Sequence, residues 1–511
     1  MTSALNKLTS WLKRHVWFLA AFFVPLSIRS IPEILSWPYP LGLDTLNMVS
    51  TIESGRILLS GPLTIIRSQL FYSLETLTYW LIGNITTVIK IFGPLLMGCV
   101  ALMMYLYARH GLDWNGSKSF LVALLIGTYF VTLRNSWDLY AQSFALIFFF
   151  ATLVILKAYH SKWRYPLAFT LMILTVFSHQ LVSVIMIFVL GLEAIRLLIK
   201  DNRREGLYLF VSLFLAGSFF LFRTYSPTTS TIAIPAANVS SASTISFVLF
   251  VGGLLVYCYA LILPLVALGF RDLKDWILKY WIVWCVIAPL LLAVFPSLPL
   301  YYWNRWVYLL VYPLLFFAVA GLDKLWHFQS MHKKKLKRLI PKTVAIAYAV
   351  LLLALSGFYL AANPENQIPL FSSANPYLSF IPSSMLQNTL PISDNPALVN
   401  CFNWVNTHSS NDSAVVIHYA LYNLANIYVH GPEVIQVKHD VMMSISLNNE
   451  TVLVDGMVGA SRQALAAGNS SVYTVWWING EGWYQVPTLP PEFTHVYQYG
   501  QMAVYKFNLT E

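Results

Sequence analysis

The stretch of sequence that decides the fold is the run Leu181–Ile199, LVSVIMIFVLGLEAIRLLI. A helix needs about 20 predominantly apolar residues to cross the hydrocarbon core of a bilayer. This run has that length. The polar triplet Ser178-His179-Gln180 precedes it, and Lys200 and Arg203 follow it. The run therefore predicts a membrane-spanning helix, and comparable runs recur along most of the chain.

The composition of the whole chain agrees with this interpretation. Of its 511 residues, 57% are hydrophobic and only 11% are charged, whereas a soluble domain carries about 25% charged residues. The net charge of +10 comes from basic residues that cluster in short loops, as cytoplasmic loops of membrane proteins do. We expect membrane lipids around the chain, a plasma-membrane location and no nucleic-acid partner.

The distribution of charge predicts a polytopic α-helical membrane protein with about eleven crossings. Lys7, Lys13 and Arg14 place the N-terminus in the cytoplasm, and an odd number of crossings leaves the C-terminus outside. The predicted crossings are Val16–Ile31, Thr87–Ala108 and residues 119–133, 139–156, 165–178, 181–199, 206–222, 245–270, 278–295, 306–322 and 343–361.

These crossings define a transmembrane domain over residues 1–362, with a first external loop over about 32–86. Within this loop, the apolar stretch Leu63–Ile82 contains Arg67 and Glu75. Charges in the middle of a stretch disfavour a crossing, so we expect an amphipathic helix that lies at the membrane interface.

The tail, residues 363–511, has a different composition and predicts a small α/β domain outside the cell. It is richer in Asn, Ser, Asp and Pro than the preceding part and lacks long apolar runs. A helix is expected over Pro396–Thr407. Short β-type segments occur at Ala414–Ile417, Glu433–Val437, Ser471–Trp477 and Met502–Phe507.

Asp44 is the first candidate for a chemical role, in the segment Pro40-Leu41-Gly42-Leu43-Asp44. Irregular backbone at membrane depth is tolerated only inside protein or beside a water-filled cavity. A carboxylate there is either the N-cap of the next helix or a base for an attacking hydroxyl, and the two roles are compatible. The acids of the predicted cytoplasmic loops are read as solvated loop charges: Asp113, Asp201, Asp272, Asp275 and Asp323.

Three further positions lie near predicted outer helix ends. Asp138 is either an N-cap or the ion-pair partner of Arg134. His179 is either a satisfied polar residue of a short turn or a functional group between spans. Arg305 is either an interfacial anchor among aromatic side chains or a two-pronged phosphate ligand. Arg223 and Arg134 have a similar placement.

On these segments the whole chain resembles the type C (GT-C) membrane glycosyltransferases, in particular archaeal and bacterial relatives of protein mannosyltransferases and aminoarabinose transferases. The resemblance lies in the architecture more than in long motifs. The matching segments are Pro40-Leu41-Gly42-Leu43-Asp44, Arg134 with Asp138, Ser178-His179, Asn304-Arg305-Trp306, Tyr312-Pro313-Leu314, Ala320-Gly321-Leu322, Trp404 and Phe493-Thr494-His495-Val496-Tyr497.

The resemblance implies transfer of a sugar from a polyprenyl (dolichyl)-phosphate donor to a glycan, lipid or protein acceptor on the outer face. Asp44 would be the general base and the transfer would invert the sugar. Arg305, with Arg134 or Arg223, would hold the donor phosphate. The residues implied to contact donor or acceptor are His179, Asp138 and Glu53.

The sequence departs from the family in its acidic residues. Many members have a paired acidic motif in the first loop, whereas here Asp44 stands alone and Glu53 is nine residues further on. The four cysteines show no metal spacing. The chain therefore predicts no certain cofactor and no set of metal ligands, and a divalent metal is left open.

Two other classes of protein remain open. One is a polytopic transporter. Three observations argue against it: the odd number of crossings, the lack of an internal repeat and the lack of paired Gly/Pro-broken spans. The other is a non-catalytic scaffold of the cell envelope with an external binding domain. For the transferase, we expect Asp44, His179 and Arg305 to line one outward-facing cavity.

Overall fold

The structure is a computed structural model, and it divides the chain into two compact units. One comprises Met1–Ile31 and Gly55–Leu360, and the other comprises Pro32–Ser54 and Ala361–Glu511. Part of the predicted first external loop thus belongs to the same unit as the tail. The residues that the structure describes are 2–41, 46, 49–53, 55, 70–200, 202–225, 244–295, 303–327, 335–360, 392, 394–437, 450–478 and 489–509.

Helices make up the first unit and surround the sheet of the second. The helix that ends at Leu106 is followed by a π-helical turn, Tyr107–Gly111. The described helices are α1 (Thr2–Leu35), α2 (Val49–Glu53), α3 (Leu70–Ile82), α4 (Ile85–Leu106), α5 (Gly116–Thr128), α6 (Phe130–Asp138), α7 (Tyr140–Ala158), α8 (Arg164–Ser178), α9 (Gln180–Ile199), α10 (Arg203–Tyr225), α11 (Thr244–Tyr259), α12 (Leu263–Phe270), α13 (Trp276–Val294), α14 (Trp303–Leu309), α15 (Val311–His327), α16 (Lys335–Leu360), α17 (Asp394–His408), α18 (Tyr419–Tyr428) and α19 (Glu450–Ala466).

The apolar helices are those of a membrane protein. Among the described residues, six helices are long and apolar enough to cross a membrane, and eight if each of two bent pairs is one span. Three shorter apolar helices lie at Arg164–Ser178, Trp276–Leu291 and Lys342–Ala354. Each predicted crossing overlaps one of these helices or pairs. The count of eleven crossings and their orientation stay predictions.

One bent pair replaces the predicted crossing 119–133. Helices α5 and α6 meet at 61° because Tyr129 between them has an extended backbone. The Tyr129 carbonyl accepts the Leu133 N–H at 3.0 Å, and the Thr132 hydroxyl, 2.6 Å from the Ile126 carbonyl oxygen, can donate its single proton there. These contacts satisfy carbonyl groups near the break, as buried backbone in a membrane requires.

The second bent pair replaces the predicted crossing 245–270. Helices α11 and α12 meet at 85°, and Pro264 lies in the first turn of α12. Proline has no N–H and cannot continue a helix across this point. This span is thus broken at a proline, whereas the other bent pair is broken at Tyr129. The expectation that the chain lacks a pair of Gly/Pro-broken spans in corresponding halves stays a prediction.

Two glycines bring α12 and α15 into backbone contact. A Cβ atom at Gly269 would overlap the Phe317 carbonyl, and a Cβ atom at Gly321 would overlap the Leu265 carbonyl. Small residues allow this close approach between helices in membranes. The segment Ala320-Gly321-Leu322 therefore has a packing role.

Ion pairs join helices at the predicted cytoplasmic end. Lys118 at the start of α5 lies 2.6 Å from Asp323 near the end of α15. Asp275 is buried, caps α13 through the Leu278 N–H and accepts from the Tyr107 hydroxyl at 3.0 Å. The interpretation of Asp275 as a solvated loop charge is therefore wrong.

The tail unit contains a five-stranded sheet of order β2-β1-β3-β5-β4. Strand β1 is parallel to β2 and β3, and β5 is antiparallel to β3 and β4. The predicted β-type segments match four of the strands, whereas β4 was not predicted. The strands are β1 (Ala414–His418), β2 (Glu433–Val437), β3 (Val472–Trp477), β4 (Phe493–Tyr499) and β5 (Met502–Phe507).

The core of the tail unit lies around the central strands. All residues of β1 and β3 are buried, as expected for strands covered on both faces. The Trp477 indole donates to Asp394 of α17 at 2.9 Å, and Trp404 of α17 stacks on Tyr497 of β4. The tail is thus an α/β domain, and its external location stays a prediction.

We expect Gly321→Ala to destabilise the protein by more than about 2 kcal/mol, because the added methyl group meets backbone that cannot move aside alone. The measurement is the thermal unfolding midpoint of the detergent-solubilised chain. Gly217→Ala and Gly252→Ala are matched controls, since a Cβ atom at either position has open space. Equal midpoints for Gly321→Ala and the controls would contradict the contact between α12 and α15.

Candidate functional site

His179 is held in place by the start of the helix that follows it. It has an extended backbone between α8 and α9, and its Nδ1 accepts the Val182 N–H at 3.4 Å. An imidazole that accepts through Nδ1 is neutral and carries its proton on Nε2. His179 is therefore the N-cap of α9 and keeps an N–H on Nε2.

Two arginines lie within electrostatic range of this imidazole. The positive charges of Arg305 and Arg223 both act on the His179 ring. Arg223 is 6% exposed, and its guanidinium donates to the Val176 carbonyl of α8. Arg305 is half-buried in α14. The structure thus brings together three of the residues that the sequence singled out, and the arrangement suits an anion.

Arg134 and Asp138 form an ion pair inside the protein. Their side chains are 3.0 Å apart and almost fully buried. The pair was one of the two expectations for Asp138. The other, an N-cap, is wrong because Asp138 is the last residue of α6 and Leu139 precedes α7. Asp138 therefore compensates the charge of Arg134 inside the protein.

Helix α14 links the Arg134–Asp138 pair to the grouping of His179, Arg223 and Arg305. The Arg134 guanidinium lies 6.0 Å from the centre of the Tyr308 ring. Tyr308 follows Arg305 by three residues, so the two side chains share a face of α14. Arg134, Asp138, His179, Arg223 and Arg305 therefore belong to one region of the helical unit.

Helix α6 is unusual because it is polar and buried at once. All nine of its residues are buried, and five of them are Thr132, Arg134, Asn135, Ser136 and Asp138. A small pocket adjoins it, lined by Met97, Val100, Ile126, Thr132, Ser136, Ser143 and Tyr312. Buried polar side chains at membrane depth are costly and typically mark function.

Arg29 belongs to this region and was missed by the sequence analysis. It lies in α1, is fully buried, and its Nε donates to the Ser136 hydroxyl at 2.9 Å. The signal was present in the sequence, because an arginine inside the predicted crossing Val16–Ile31 is a candidate functional residue by default.

Two predicted site residues are not brought to this region by the described structure. Asp44 lies outside the described residues, so the expectation of one cavity with His179 and Arg305 is untested for Asp44. Glu53 is exposed in α2, which belongs to the tail unit. Among the described residues, no group of three or more His, Cys, Asp or Glu side chains is placed to hold a metal ion.

Glu75 is a further acidic residue with an unusual environment. It is 2% exposed in α3, one turn after Phe71, whose ring packs on Phe92, Tyr140 and Phe144. Burial raises the pKa of the Glu75 carboxyl from 4.5 to about 8. Glu75 is therefore mostly protonated at neutral pH. The face of α3 that contains Phe71 and Glu75 packs on the neighbouring helices without a charge.

The chain is similar in structure to solved proteins. No family model matches the chain, and no curated protein matches it. The apo crystal structure of the Archaeoglobus fulgidus oligosaccharyltransferase aligns with a TM-score of 0.46 and 13% sequence identity. The alignment covers 92% of this chain and 71% of that one.

The raised pKa of Glu75 predicts a specific dependence of stability on pH. The folded state holds the proton more tightly than the unfolded state does, so stability falls as pH rises from about 4.5 to about 8. Glutamine does not ionise. Glu75→Gln should therefore be more stable than wild type by a margin that grows over this window to as much as about 4 kcal/mol.

The measurement is the free energy of unfolding of both proteins in detergent at several pH values. Ser73→Ala is the control, because it removes a neighbouring buried polar group without removing an ionisable one. Its difference from wild type should stay constant with pH. A constant difference for Glu75→Gln as well would contradict the buried, protonated state of Glu75.

Proposed function

We propose that the chain is a GT-C-like membrane glycosyltransferase that uses a polyprenyl (dolichyl)-phosphate sugar as donor. The acceptor is a glycan, lipid or protein on the outer face. The observation that supports this function is the grouping of Arg305 and Arg223 around the neutral His179. It offers two cations and one N–H donor to a single anion.

A phosphate diester on a lipid suits this grouping for two reasons. Guanidinium groups bind phosphate oxygens through paired, charge-assisted hydrogen bonds. Arg223 is also buried in the last turn of α10, in which Leu221 and Phe222 are 55% and 64% exposed. An anionic head group at Arg223 would therefore continue into an apolar surface, where a polyprenyl chain is favourable.

The same groups have a role in the transfer step. When the acceptor hydroxyl attacks the anomeric carbon, the bond to the phosphate oxygen breaks and the phosphate leaves with the electron pair. Arg305 and Arg223 stabilise the charge that develops on this phosphate. Asp44 takes the proton of the hydroxyl, and a single displacement inverts the anomeric centre.

The remaining predicted site residues have supporting roles in this proposal. His179 donates its Nε2 proton to the phosphate or to the acceptor. Asp138 holds Arg134 beside Tyr308, so Arg134 adds positive potential near Arg305. Glu53 contacts donor or acceptor from the first external loop. No step depends on a metal ion.

A transporter is the second candidate, and the two bent pairs of helices favour it. Broken spans of this kind form substrate sites in many transporters, and one pair lies in each half of the helical unit. The two functions differ in the product. A transferase forms a new glycosidic bond, whereas a transporter moves its substrate across the membrane unchanged.

We expect Arg305→Ala and Asp44→Asn each to reduce sugar transfer at least about 100-fold, because each removes a group that acts in the transition state. The measurement is the transfer of radiolabelled sugar from polyprenyl-phosphate donors to acceptors by the purified chain in proteoliposomes. Arg271→Ala is the matched control. This arginine is exposed after α12, away from the grouping, and its removal should leave transfer unchanged.

Binding of unlabelled polyprenyl phosphate separates the two roles. Arg305→Ala should weaken binding about ten-fold or more, whereas Asp44→Asn should bind normally and fail in transfer. Full transfer by both variants would overturn the proposal. Movement of the lipid-linked sugar across the vesicle membrane without a new glycosidic bond would establish the transporter instead.

A further inference from the structure

The junction between α6 and α7 is a second break in the helical backbone, at Leu139. The Leu139 N–H still donates to the Asn135 carbonyl at 3.0 Å, but Leu139 has ψ of 53° and ends the helix. In a continuous helix the Ser136 carbonyl would accept the Tyr140 N–H. At a helix end this carbonyl needs another donor.

Arg29 supplies that donor from another helix. Its Nη2 lies 3.3 Å from the Ser136 carbonyl oxygen, and its Nε donates to the Ser136 hydroxyl at 2.9 Å. The hydroxyl in turn donates to the Leu133 carbonyl at 2.7 Å. One guanidinium thus bonds to both polar groups of Ser136, in the last turn of α6.

The position of the charge suits the end of a helix. The carbonyl groups at a C-terminus carry a partial negative charge, which a cation stabilises. Inside a bilayer no water is present to take over this role. Arg29 is fully buried, so its interaction with the end of α6 is poorly screened.

Gly93 of α4 makes room for this contact. A Cβ atom at position 93 would lie 3.0 Å from Arg29 Nη2 and 2.6 Å from the Tyr140 hydroxyl. Both groups would have to shift. The close packing of Gly93, Arg29 and Tyr140 therefore fixes the guanidinium at the junction of α6 and α7.

We propose that Arg29 is a positioning residue that caps the C-terminus of α6 from α1 and thereby fixes Arg134 and Asp138. The two residues of the ion pair lie on either side of Ser136 in the same turns of α6. When the last turn of α6 frays, their geometry beside Tyr308 is lost. The effect on sugar transfer rests on the proposed function, whereas the capping contact does not.

Hydrogen–deuterium exchange of the purified chain in nanodiscs tests the capping contact directly. In Arg29→Met the amides of residues 133–140 should exchange at least ten-fold faster than in wild type. Gly93→Ala should have the same effect without removing the arginine, and it serves where Arg29→Met does not fold. In Arg29→Lys the exchange rate should lie between those of wild type and Arg29→Met. Lysine keeps the charge, but its donors all sit on one nitrogen and cannot reach both Ser136 groups as the guanidinium does.

Arg164→Met is the matched control. Arg164 also donates to a backbone carbonyl, that of Leu156, but in another part of the helical unit. Its removal should leave exchange at residues 133–140 unchanged. Unchanged exchange at these residues in both Arg29→Met and Gly93→Ala would overturn the proposal.

Kinetics and chemical rescue test the positioning role. Arg29→Ala should lower kcat for sugar transfer more than ten-fold with little change in KM, and free guanidinium at non-denaturing concentration should restore part of kcat. Guanidinium should not restore the control Arg164→Ala. Loss of kcat without rescue or change in exchange would refute the role of Arg29. Absence of transfer in wild type would refute the proposed function and leave the exchange test valid.

Discussion

Every interruption of a helix inside the hydrocarbon layer frees backbone groups that water cannot reach, and the structure depends on how the protein satisfies them. At the first break, the Thr132 hydroxyl donates to the Ile126 carbonyl, and the Leu133 N–H donates to the Tyr129 carbonyl. At the second, Arg29 donates to Ser136. A short buried helix between two breaks is stable only with such partners. This requirement explains why α6 and its surroundings are polar at membrane depth.

Buried charged side chains also have partners that compensate them. Arg134 is paired with Asp138 within one helix, and Arg223 is bound to a carbonyl of α8. At the predicted cytoplasmic end, Asp275 accepts from Tyr107 and lies 3.0 Å from Lys157. Buried ions need compensation of this kind because desolvation is costly. Near His179, the charges of Arg305 and Arg223 act on one imidazole, and Arg223 is held there by the Val176 carbonyl.

The sequence predicted the architecture well because length and polarity determine it. Runs such as Leu181–Ile199 identify helices, and short segments rich in β-branched and aromatic residues identify β1 and β3. It failed at Tyr129, where nothing in the local residue types announces an extended backbone, and at β4, which is mostly exposed. For the site, the sequence named Arg223, Arg305 and His179 but could not show that they meet. The apolar run Val16–Ile31 was interpreted only as a crossing. The single charge inside it, Arg29, was therefore missed as a candidate.

The backbone contact between Gly269 and Gly321 has a mechanical consequence. Where two helices touch without intervening side chains, no rotamer change can absorb a sliding or turning motion between them. Helices α12 and α15 therefore move as one rigid body. A movement of α12 relative to α11 therefore carries α15 with it, across the 85° bend between α11 and α12. The glycine pair thus couples α15 to this broken span.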